Sequence, residues 1–73
     1  MFIFANDFNG ACRANPAINT EFCSAFFAED DYSIKFILRC GAGLKWIFSN
    51  KIDKDQAIHT IQHMIERSYA KTN

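Results

Sequence analysis

The chain has 73 residues, 49% hydrophobic and 15% aromatic, and eight basic residues balance eight acidic ones for a formal charge of zero. That balance supports neither a generally basic nucleic-acid binder nor an acidic mimic of DNA, and the apolar content excludes a disordered chain. A domain this short buries only about 60% of its unfolded surface, so one compact domain over residues 1–73 is expected, with eight Phe, two Tyr and one Trp supplying core volume.

The opening MFIFANDF is apolar but has no cationic flank, and Asn6-Asp7 interrupts it before a signal peptide or membrane span could form. A cytoplasmic protein with no membrane partner is therefore expected. Cys12, Cys23 and Cys40 are odd in number and lack C-x-x-C spacing, which points to reduced thiols and not to a disulfide framework or zinc knuckle. Cys23 and Cys40 are expected on apolar surfaces, leaving Cys12, beside Arg13, as the reactive thiol.

Phe2, Ile3 and Phe4 read as an edge strand, with a turn at Asn9-Gly10. Asn15-Pro16 has the form of an N-cap followed by a first helical residue. Ile18, Phe22, Ala25 and Phe26 then recur at helical spacing, so a helix over about 16–28 is favoured. The rival is a Phe-rich strand from Thr20 to Glu29 that turns back through Asp30-Asp31.

From Tyr32 to Ser49 the alternation is that of a β-hairpin. Tyr32, Ile34, Phe36, Leu38, Cys40, Leu44, Trp46 and Phe48 form an apolar face, opposite Lys35, Ile37, Arg39, Lys45 and Ile47. A loop at Gly41-Ala42-Gly43 sets Cys40 opposite Leu44, Leu38 opposite Trp46 and Phe36 opposite Phe48. It also makes Arg39 and Lys45 cross-strand neighbours, an unfavourable like-charge pair.

A helix over about 54–70 follows, with Asp53 as N-cap, Gln56 completing a capping box and Ile52 stapled against Ala57. Its stripe of Ala57, Ile58, Ile61, Met64, Ile65, Ser68 and Tyr69 is expected to cover the aromatic face of the hairpin. The fold class is α+β, a small antiparallel sheet packed on a C-terminal amphipathic helix, in the order βαββα or, with the rival strand, ββββα.

No Gly-rich phosphate loop, protected carboxylate pair or nucleophile with a base at workable spacing is present, so no enzyme and no cofactor are expected. His59 and His63 have the i, i+4 spacing of two metal ligands. Thr60 stands where a zincin needs Glu, and no third ligand is evident beyond Glu66 or Asp55, so they are weak metal candidates. The candidate partner-binding surface comprises Lys35, Ile37, Arg39, Lys45, Ile47 and Lys51, with the acidic turn Glu29, Asp30 and Asp31 as its opposite pole. A protein partner is the first expectation, the chain acting as an inhibitor or adaptor by occluding a surface. A phage or mobile-element inhibitor of host defence, such as an anti-CRISPR, is that kind of protein, although no motif identifies the class. The alternatives are nucleic acid held by Lys35, Arg39, Lys45, Lys51 and Lys54, and a homodimer formed through an edge strand or the Ile37/Ile47 patch.

Overall fold

A computed structural model describes residues 1–71, with side chains as far as residue 67. It is an α+β fold. A short antiparallel pair, β1 (Phe2–Ile3) with β2 (Ile18–Asn19), precedes a meander of β3 (Cys23–Asp30), β4 (Ser33–Leu38) and β5 (Gly43–Ile47), and α1 (Lys51–Lys71) closes the chain. One face of the meander and the inner face of α1 enclose a core of Ile34, Phe36, Trp46, Phe48, Ala57 and Ile61, which Ile3, Ala5 and Ile18 complete from the N-terminal segment. Trp46 is its centre, with edge contacts to Phe36 at 5.2 Å and Phe8 at 5.5 Å.

The favoured helix over 16–28 does not form. Phe26 instead stacks on Phe36 across β3 and β4, with ring centroids 5.9 Å apart, and Phe27 stands opposite Lys35. The register shifts near Ser24 and Glu29 break the two-residue alternation of β3. Inside-facing residues thereby fall three apart, at Cys23 and Phe26, which imitates a helix in the sequence. Cross-strand pairing settles the competition, because a short apolar run takes whichever period its neighbours can bury.

The hairpin keeps its expected faces but not its register: Trp46 pairs with Ile34, and Phe36 with Leu44. The loop is Arg39-Cys40-Gly41. Leu38 N–H donates to Ala42 O at 2.8 Å and Gly41 N–H donates to Leu38 O at 2.9 Å. In this three-residue loop the third position is left-handed, and Gly41 fills it with φ +93°. Two glycines two residues apart permit either loop, and both put Trp46 inside, so alternation alone cannot choose. Tyr32 and Cys40, expected on the apolar face, are exposed at the turns.

The helix starts three residues earlier than expected, at Lys51. Asn50 Oδ1 accepts the Asp53 N–H at 2.8 Å and Asn50 Nδ2 donates to Asp53 Oδ2 at 2.8 Å, so Asn50 is the cap and Asp53 the reciprocating residue. Ile52, 70% exposed, staples nothing. Ala57 and Ile61 are buried as the stripe requires, with Ile58, Met64 and Ile65 packed beside them; the side chains of Ser68 and Tyr69 lie outside the described residues.

Asn15-Pro16 does not open a helix. The Asn15 amide lies along β5, accepting the Ile47 N–H at 3.0 Å and donating to the Ile47 carbonyl at 3.0 Å, as a neighbouring strand would. Cys12 N–H also donates to Ile47 O, and Trp46 Nε1 donates to Pro16 O at 2.6 Å. Residues 11–16 thus seal the edge of β5 and lock the tryptophan to the N-terminal segment.

Candidate functional site

The outer face of the meander is built from residues that cross-strand pairing places in rows: Phe27, Lys35 and Lys45; Ala25, Ile37 and Gly43; Ser33 and Ile47. α1 packs on the opposite face, so Ile37 and Ile47 are not covered by a helix. Ile47 is 52% exposed and Phe27 47% exposed, while Ile37 is half-buried. Phe27 is the residue that sequence reasoning missed. Its signal was the rival strand itself, since pairing Thr20–Glu29 against β4 necessarily sends one of the two adjacent phenylalanines outward.

The like-charge contact on this face is between Lys35 and Lys45, not Arg39 and Lys45, because Arg39 belongs to the loop. The two ammonium groups diverge. The Lys35 stem runs toward the loop across Gly43, where a Cβ would lie 2.9 Å from Lys35 Cε and would displace the end of that side chain. Lys45 runs the other way, and its Nζ meets Glu29 Oε2 at 3.3 Å. Glu29 of the acidic turn therefore stands on the cationic face, where it pairs with Lys45 and leaves Lys35 without a carboxylate among the described residues. The neighbouring Asp30 closes the turn, accepting the Tyr32 N–H at 2.8 Å. That bond, with the field of Lys45 adding to it, holds the Asp30 carboxyl below its ordinary value.

Lys51 and Lys54 are committed elsewhere. Their Nζ atoms bind the two oxygens of Asp55, each at 2.8 Å, and Lys54 is buried. Hydrogen bonds from these two lysines hold the Asp55 carboxyl low, Lys51 first, and Asp55 in turn raises Lys51. Of the five cations considered for phosphate binding, only Lys35 and Arg39 have no carboxylate partner among the described residues.

The other chemistry-bearing residues do not converge. Cys23 is half-buried, and desolvation raises its thiol despite a 3.2 Å bond to Ala25 O. Cys12 and Cys40 are exposed, one in the edge-sealing segment and one in the hairpin loop. A cleft of about 360 Å³ between β3 and α1, lined by Cys23, Phe26, Gln62 and Ile65, brings no base to the thiol. His59 and His63 are exposed on α1 with Nε2 atoms 3.2 Å apart, and no group of three or more His, Cys, Asp or Glu side chains gathers among the described residues. No described helix is long and apolar enough to cross a membrane. In comparisons with known proteins, no family model, curated protein or solved structure matches the chain.

Proposed function

We propose that the chain is a small non-enzymatic protein-binding module whose open sheet face occludes a surface on its partner. The observation that carries this reading is the composition of that face: Phe27 and Ile47 on its two edge strands and Ile37 on the middle strand are exposed or half-exposed, interspersed with Lys35 and the Lys45–Glu29 pair, with Arg39 in the adjoining loop. Aromatic and aliphatic side chains left open to solvent on one face mark a protein-interaction surface. A phosphate-binding face needs a run of unopposed cations, and internal carboxylates oppose three of the five here. The partner surface that fits offers apolar contacts to Phe27, Ile37 and Ile47 and carboxylates to meet Lys35 and Arg39. Inhibition by occlusion, the action of a phage inhibitor on a host defence enzyme, requires no chemistry beyond such a face.

The test is affinity capture from lysate after nuclease treatment, using the wild-type chain, Ile47→Asp and the helix-surface variant Glu66→Ala. One protein retained stoichiometrically by the wild type and Glu66→Ala, and lost by Ile47→Asp, is the expected result. Nucleic acid alone, released by salt and unaffected by Ile47→Asp, would refute the reading.

A further inference from the structure

The histidine pair lies on the helix surface directly opposite the buried stripe of Ala57 and Ile61, away from the outer face of the meander. Both rings are exposed, their centroids are 4.6 Å apart and inclined at 74°, and the Nε2 atoms approach to 3.2 Å. Two imidazole nitrogens bound to one metal at about 2.05 Å stand about 3.3 Å apart at a tetrahedral angle and about 2.9 Å apart at a right angle. The observed separation lies between these values. The metal-free contact requires one Nε2 to hold a hydrogen and the other to accept it; a cation between them requires only that both rings carry their hydrogen on Nδ1.

We propose that His59 and His63 form a two-histidine chelate for a divalent transition-metal ion. α1 pre-organises them, because burial of Ala57 and Ile61 on its inner face fixes the turn from which both rings project. Two neutral imidazoles suit Cu²⁺, Ni²⁺ and Zn²⁺, and the ordering of divalent affinities puts Cu²⁺ first. No third protein ligand joins them among the described residues, so water completes the coordination sphere.

The test is calorimetric titration with CuCl₂, NiCl₂ and ZnCl₂ separately, in protein carrying Cys12→Ser and Cys40→Ser so that exposed thiols do not compete. One Cu²⁺ per chain is expected, bound more tightly than Ni²⁺ or Zn²⁺. His63→Gln should lower the Cu²⁺ affinity by roughly 100-fold, the scale on which linked binding exceeds single contacts. The double variant Thr60→His/His63→Gln keeps two histidines but sets them side by side along the chain, off a common face, and should lose affinity equally. Far-UV circular dichroism confirms that each variant remains folded. If His63→Gln or the double variant binds Cu²⁺ as tightly as the unchanged pair, the proposal fails.

Discussion

Replacing Asn15 tests whether a single side chain takes the place of a strand at the β5 edge. Its amide makes two 3.0 Å hydrogen bonds to the backbone of Ile47, one as acceptor and one as donor. Each such bond is worth about 0.5–1.5 kcal/mol net. Water reaches part of this edge, so Asn15→Ala should cost roughly 1–2 kcal/mol, or about 5–15 °C in melting temperature for a domain of this size. Asn15→Asp is more diagnostic. Its carboxylate still accepts the Ile47 N–H but cannot donate to the Ile47 carbonyl and repels it, so at neutral pH this variant should be at least as unstable as Asn15→Ala. Protonation restores a donor, which raises the folded-state pKa of the new Asp above its unfolded value of about 3.9. The stability contributed by the protonated form is then present below that value and lost as pH rises through the folded pKa. Urea titrations followed by fluorescence of Trp46, the chain's one tryptophan, should show the gap to wild type narrowing in acid. An Asn15→Asp midpoint equal to wild type at pH 7 would refute the strand-mimic reasoning.

Trp46→Ala should destabilise by about 3–5 kcal/mol, as buried aromatic truncations do, whereas Lys45→Ala should cost little; equal denaturation midpoints would invert the face assignment. Gly10 has φ +76° and a Cβ there would run into the Asp53 side chain, while Gly41 at φ +93° faces open space. Gly10→Ala should therefore cost about 2–3 kcal/mol, from backbone strain and a disturbed helix cap, and Gly41→Ala only about 1–2. Asp30 and Asp55 carboxyls are both held below the ordinary 3.8, so their contribution is present above that value and lost as pH falls through the lowered one. Lys51 is raised above 10.5, so its share is present below that value and lost in alkali as pH rises through the raised one. Asp55→Asn should flatten both ends of the stability–pH curve.

Much of this was legible in the chain. Alternation from Tyr32 to Phe48 identified Ile34, Phe36 and Trp46 as core, because the side-chain period of a strand is insensitive to where its hairpin turns. For the same reason it could not distinguish a loop ending at Gly41 from one ending at Gly43. The helix stripe was equally plain, but Asn50 and Asp53 both have the chemistry of a cap, and only the fold of the preceding turn selects between them. The outward face of β3 was hidden by the register shifts near Ser24 and Glu29, and with it Phe27 and the Glu29–Lys45 pair. Asn15 was misread because an amide that caps a helix can equally pair with a strand edge, and its partner Ile47 lies 32 residues away.

That distance bears on the order in which the molecule assembles. The meander joins neighbours in sequence, whereas the N-terminal segment is fastened to it by bonds spanning 30 and 32 residues, at Trp46–Pro16 and Asn15–Ile47. Long loops close late, since their entropy must be surrendered before distant contacts form. The folding nucleus should thus hold the two hairpins and leave residues 1–19 unattached. Substitutions at Asn15 will then hasten unfolding without slowing refolding, and the amides of this segment will exchange with solvent before those of the meander.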